Sequence, residues 1–420
     1  MAKYRSISYM FANLGSKSLA AIVQLFAIFV LTKMHSQEEA ALVFLLLGYA
    51  IWFQSFEFGL AQTLQNKFNT KVISADEMQL IIVFHFVLML AIGCFVVLTP
   101  FLADTLLPSN KNALEIQAFS VGSAILLIAS NNLISQRFLI VLNKGQTGNA
   151  LILIQSFLSL LGLTFYQYRG HNDLLAAVCL YLGPQILVSV PMFLGWSFKL
   201  FRNASKVDVN KLGPIINDAI SFWGIGVFAA LFLGSDYYFA AHYMNSQQIV
   251  SYHLATRIFF ISYVAYYAYV QHCARRLSIR ALNSNDGVVQ SIFKESVIIG
   301  FIIVFSVYGL SAGLDSLGFF SRITNGVGIG QSMLFSAFLY FTIRVCLDIS
   351  MVLMLGLNAK AIMYKVYVLE VLVGMGLMSI VVPKYGGQGL FISLSVACIL
   401  GLGLLIQECK KVSPTFSISY

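Results

Sequence analysis

The chain has 420 residues, of which 59% are hydrophobic and only 10% are charged. A soluble domain carries about 25% charged residues, so neither a single water-soluble core nor a disordered chain fits this composition. The formal net charge of +9 raises nucleic acid as a partner, but the placement of the charges along the chain removes that reading.

Apolar runs recur from end to end, at about 11–32, 40–65, 78–101, 113–141, 149–168, 174–198, 215–240, 248–272, 292–312, 331–356, 361–382 and 387–407. Most are long enough to span a hydrocarbon core of about 30 Å with some tilt. The runs do not alternate apolar and polar, which excludes a β-barrel. The expected fold is all-α, a polytopic membrane protein of about 12 transmembrane helices. The N-terminus, MAKYRSISYM, is basic, and no small-residue cleavage site follows the first run. It reads as a retained first helix rather than a removed signal peptide.

Lysine and arginine placement gives the orientation. With the N-terminus in the cytoplasm, the cytoplasmic ends hold Lys3, Arg5, Lys67, Lys71, Lys144, Lys199, Arg202, Lys206, Lys211, Arg275, Arg276, Arg280, Lys294, Lys360, Lys365, Lys410 and Lys411. The outer ends hold only Lys33, Lys111, Arg169, Arg322 and Lys384. This is the positive-inside pattern, with both termini cytoplasmic. The positive charge is then a signal of topology and inner-leaflet contact, which leaves no case for nucleic acid. The longest cytoplasmic connection runs from Lys199 to Pro214 and divides the chain into two six-helix bundles, 1–206 and 207–420, around a central path. The stretch from Ala274 to Ser291 is basic and partly amphipathic, and reads as a loop on the inner membrane surface.

No Walker A, H-E-x-x-H or C-x-x-C sequence occurs, and the cysteines sit mostly in or beside apolar runs. They read as small hydrophobes, with no metal site and no cofactor expected.

Polar residues inside the apolar runs carry the functional signal, because charge in hydrocarbon is costly and faces a polar interior or a partner. Glu57 lies within the second run, followed by Phe58-Gly59-Leu60 and the amides Gln62, Gln65 and Asn66. Gly59 lets another helix approach closely. Lys17 lies roughly 9 Å into the first run, at a depth compatible with Glu57, or snorkels to the inner surface. Asp236 and Arg257 fall on consecutive helices, with Arg257 deeper by about 8–10 Å. Asp236 also reads as an acid of the outer surface. Arg344 and Asp348 are four apart and share a helix face, as a local ion pair would. Arg137 snorkels near an inner end, beside a polar face of Asn131, Asn132 and Gln136. His85 reads as a core histidine, and Glu370 has no sequence-local partner. Pro184 and Pro191 bend the sixth run. The tyrosines at 263, 266, 267 and 269 fit an inner aromatic belt or a surface for stacking sugar rings.

The stretch WFQSFEFGLAQTLQNKFN, Trp52 to Asn69, resembles the second transmembrane helix of Wzx-type O-antigen flippases, of the multidrug/oligosaccharidyl-lipid/polysaccharide exporter superfamily. The segment from Gly234 to Phe259, with Asp236, Val250 or the nearby Ser251-Tyr252, and Arg257, is similar to that family's seventh and eighth helices. The resemblance implies a non-enzymatic flippase that moves undecaprenyl-diphosphate-linked O-antigen or polysaccharide repeat units from the cytoplasmic to the outer face of a bacterial inner membrane. Lys17, Arg257 and Arg344 are the expected substrate-path residues, since an anionic pyrophosphate needs a cationic path. Glu57, Asp236 and Asp348 are expected to couple H+ or Na+, or to form ion pairs. The expected partners are the lipid-linked glycan, the bilayer and other polysaccharide-assembly proteins. The alternatives are a cation-coupled drug antiporter of the same superfamily, whose pocket would be anionic, and a membrane polysaccharide polymerase or glycosyltransferase. The last two would bring a large outer loop or a paired-acid loop that this sequence lacks.

Overall fold

The computed structural model describes residues 2–69, 74–107, 112–142, 144–202, 212–282, 286–357 and 359–412. All regular structure among them is helical, as expected where every backbone N–H and C=O must be satisfied without water. The first helices are α1 (Ala2–Met34), α2 (Gln37–Gln54), α3 (Leu60–Asn69), α4 (Ala75–Val96), α5 (Thr99–Leu106), α6 (Ala113–Ala129), α7 (Asn131–Val141), α8 (Gly145–Tyr168) and α9 (Leu174–Arg202). They are followed by α10 (Leu212–Tyr243), α11 (Ser246–Leu282), α12 (Asp286–Ser316), α13 (Phe319–Ile323), α14 (Gln331–Gly356) and α15 (Lys360–Val412). Among the described residues, nine helices are long and apolar enough to cross a membrane, and Glu77–Gly93 forms a shorter apolar helix.

Three stretches differ from expectation. The run expected as one helix over 40–65 is broken. α2 ends at Gln54, a 3-10 turn covers Ser55–Glu57, and α3 starts at Leu60. Phe58 and Gly59 both have positive φ, 54° and 74°, and two successive left-handed residues cannot continue a right-handed helix. The expected inner-surface loop from Ala274 to Ser291 is largely helix, because α11 continues to Leu282 and α12 begins at Asp286. The runs 361–382 and 387–407 both lie in α15, which turns at Gly386, where φ is 54° and ψ is −133°. Its two arms fold together, so that a Cβ built on Gly401 would lie 3.0 Å from Glu370 Oε1.

By packing, the chain forms two units, Leu19–Ala230 and Leu231–Tyr420 with Met1–Ser18. The boundary expected between 206 and 207 lies outside the described residues. In the first unit, α9 packs on α6 and α8 and runs as helix through Pro184 and Pro191. Leu60, Leu64, Ile81, Ile134, Phe138, Ile215 and Ala219 form a buried apolar cluster there. In the second unit, α14 packs on α11, α12 and α15. Exposed side chains such as Ile298, Ile302, Phe305 and Leu310 leave α12 with an apolar outer stripe, as a lipid-facing helix has.

Candidate functional site

The second unit holds a buried polar cluster built on the α10–α11 hairpin. Asn245 starts α11 with a reciprocal cap: its Oδ1 accepts from the Gln248 amide at 2.9 Å, and Gln248 Oε1 accepts from the Asn245 amide at 3.2 Å. Buried Met244 and Ile249 flank this cap at the staple positions. The tight turn sets the two helices in register, so that Asp236 faces Tyr252 and Tyr237 faces His253.

Asp236 is buried, only 4% exposed, which removes the outer-surface reading. Its Oδ2 accepts from the Tyr252 hydroxyl at 2.5 Å and its Oδ1 from the Tyr237 amide at 2.8 Å. Arg257 is one helical turn beyond His253, and its Nε donates to His253 Nε2 at 3.1 Å. The Tyr237 hydroxyl is 2.8 Å from His253 Nδ1. No ion pair joins Asp236 to Arg257 among the described residues; His253 and the two tyrosines fill the gap that the spacing predicted between them. Arg257 is half-buried, with its guanidinium 5.8 Å over the Phe260 ring. Among the described residues its Nη groups have no protein acceptor. A half-buried guanidinium with its outer fork unengaged is suited to holding an oxyanion bidentately.

Tyr263 stacks on Phe260 and Tyr267 along the same helix. The hydroxyls of Tyr266 and Tyr269 are committed to the Val345 carbonyl and to Glu295.

A second buried group lies on α14 and α15. Arg344 Nε pairs with Asp348 at 2.9 Å, which realises the local ion pair, and Arg344 Nη1 is 4.0 Å from Cys398 Sγ. Glu370 is wholly buried near this pair beside Cys398, and among the described residues no nitrogen or oxygen donor reaches either carboxyl oxygen. Tyr340, buried on α14, lies within electrostatic reach of both Asp236 and the Arg344–Asp348 pair.

In the first unit, Glu57 Oε2 accepts from the Ala61 amide at 2.5 Å and so caps α3 across the helix break. Arg137 is near enough to act on it electrostatically. Gly59 meets α10 so closely that a Cβ would overlap the Ala219 carbonyl oxygen and sit 2.5 Å from the Trp223 nitrogen. Phe58 stacks on Trp223 at 5.3 Å, and Trp52 Nε1 donates to the Ala230 carbonyl at 2.9 Å. His85 is buried edge-on against Phe193. Lys17 is half-buried on α1.

Sequence reasoning missed His253 and Tyr237. A lone histidine in an apolar helix reads as core, and its spacing of four from Arg257 was the available signal.

No protein-family model matches the chain. It is 24% identical over 383 residues to a "Putative O-antigen transporter" of Salmonella typhimurium, covering 86% of this chain and 85% of that protein. It is also 24% identical over 307 residues to a "Putative O-antigen export protein" of Yersinia pseudotuberculosis, covering 69% of each. Among solved structures, an inward-facing multidrug resistance MATE family transporter of the MOP superfamily matches with TM-score 0.73 and 13% identity, over 97% of this chain and 100% of that one. The lipid II flippase MurJ in an inward closed conformation matches with TM-score 0.69 and 14% identity, over 96% and 87%. The chain thus has the polytopic fold of MOP-superfamily transporters and resembles in sequence proteins named for O-antigen transport and export.

Proposed function

We propose that this protein is a flippase that moves undecaprenyl-diphosphate-linked O-antigen or polysaccharide repeat units from the cytoplasmic to the outer face of the inner membrane. The observation that carries this reading is Arg257, held at its Nε by His253 while its Nη fork stays unengaged. A diphosphate has the charge and the paired oxygens for that fork. The named sequence relatives support the same substrate class over a drug antiporter. A cationic group at the site also argues against a pocket for cationic drugs. Non-enzymatic transport fits the named relatives. In this proposal the sequence halves 1–206 and 207–420 alternate access to the two faces, both termini lie in the cytoplasm, and H+ or Na+ drives the cycle through Glu57, Asp236 or Asp348. Lys17 and Arg344 extend the cationic path. Other polysaccharide-assembly proteins take up the product.

Deleting the gene tests the reading. Lipid-linked repeat units should be built yet remain on the cytoplasmic face, with surface polysaccharide missing. Units stranded unpolymerised on the outer face would sink the proposal in favour of a polymerase.

A further inference from the structure

Arg257 does not sit alone at the α10–α11 hairpin. Its Nε–H can only donate, so His253 Nε2 must present a lone pair to it. The other ring nitrogen, Nδ1, then carries the hydrogen and donates to the Tyr237 oxygen at 2.8 Å. His253 is therefore neutral in this arrangement, in one tautomer, and it is 0% exposed.

A second proton on His253 would land on Nε2. It would break the bond to Arg257 and place two cations at hydrogen-bond distance in a buried setting, which is unfavourable without an anion to balance them. Among the described residues, the charged and titratable groups of the packed helices do not supply that balance: on α12, Asp315 is taken by the Ile329 amide and Gln331, and Glu295 by the Tyr269 hydroxyl. On α10, both Asp236 oxygens are taken, by Tyr252 and the Tyr237 amide, and Tyr237 is the partner of Nδ1. On α11, Tyr252 is committed to Asp236, and Arg257 is itself a cation. On α14, Tyr340 is a neutral phenol and Asp348 is paired with Arg344. On α15, Glu370 lies beside Arg344 and Cys398.

We propose that His253 is the positioning residue of the anion site: neutral, it latches Arg257 by Nε; protonated as a diphosphate arrives, it releases the guanidinium and adds a second donor to the same anion. This rests on Arg257 being the headgroup contact of the proposed flippase. Binding of the anion and of one proton are then linked, each strengthening the other by the same factor.

Binding of a prenyl-diphospho-N-acetylglucosamine to the full-length protein in nanodiscs tests this between about pH 5.5 and 8.5, the range where a histidine titrates. The probe is a diphosphate diester, whose own charge does not change there, and a non-prenylated sugar diphosphate diester separates headgroup from lipid contributions. Wild-type affinity should rise as pH falls, by up to tenfold per unit for one linked proton. His253→Gln keeps an acceptor for Arg257 but cannot titrate, so it should lose the part of the slope that one proton on His253 supplies, whatever the coupling acids add. His253→Phe should bind more weakly at every pH, and His253→Gln keeps the test decisive if the phenylalanine variant misfolds. A pH slope in His253→Gln equal to that of wild type overturns the role of His253. Equal binding by wild type and Arg257→Ala, or no binding by wild type, overturns instead the headgroup reading on which it rests.

Discussion

Tyr252 donates to Asp236 from sixteen residues away, across the α10–α11 turn, and so commits the acid to its own hairpin. Removing the hydroxyl leaves a buried carboxyl short of a donor, a loss of about 1–3 kcal/mol. Tyr252→Phe should therefore lower the thermal unfolding midpoint of the purified protein, and adding Asp236→Asn should recover part of the loss. An unchanged midpoint in Tyr252→Phe would show that the bond contributes nothing to stability.

Gly59 should tolerate no side chain. A Cβ there would overlap the Ala219 carbonyl oxygen, and φ is already +74°. Gly59→Ala should reduce folded, inserted protein sharply, whereas Gly15→Ala, with nothing within 4 Å of the new atom, should match wild type. Equal yields of the two variants would contradict this account of the helix break.

The two carboxyls beside Arg344 should respond in opposite ways. Asp348→Asn leaves the buried guanidinium without its partner, a change that costs about 3–5 kcal/mol. Among the described residues Glu370 takes no hydrogen bond from a nitrogen or oxygen donor, so Glu370→Gln should leave thermal stability level or raised. Both outcomes can be read from melting curves of the two variants, and a strongly destabilised Glu370→Gln would mean that Glu370, rather than Asp348, balances Arg344.

The fold class was legible because a membrane span declares itself by sheer apolar length. The Arg344–Asp348 pair was legible from a spacing of four, and Gly59 from its place beside Glu57. The break at Phe58 was not, since a phenylalanine gives no sign that it will adopt a left-handed conformation. That conformation is held by packing, with its ring stacked on Trp223 far along the chain. Glu370 had no local partner to find because Arg344 and Cys398 come from another helix and from the far arm of α15. The link from Asp236 to Arg257 was judged by depth alone, and depth says nothing about the histidine and tyrosines that lie between.

Orientation is open to a direct test. Reporter fusions after Ser205 and Ser284 should report cytoplasm, and fusions after Asn110 and Gly326 should report the outer side, as the lysine and arginine asymmetry requires. An outer signal after Ser205 would break the two-half layout.

Arg257 separates substrate binding from charge balance. If its fork holds the diphosphate, Arg257→Lys should export at a reduced rate, because an ammonium keeps the charge but loses the bidentate geometry. Arg257→Ala should be close to inactive, and both variants should insert at wild-type levels, since the residue is half-buried and makes one side-chain hydrogen bond, to His253. If Arg257 merely balanced an acid such as Asp236, removing both charges would leave nothing unpaired, and Arg257→Ala with Asp236→Asn would regain export. Asp236 is already served by Tyr252 and the Tyr237 amide, so the double variant should stay as inactive as Arg257→Ala. Surface polysaccharide in a deletion strain carrying each variant measures this, and recovered export in the double variant would remove Arg257 from the substrate path.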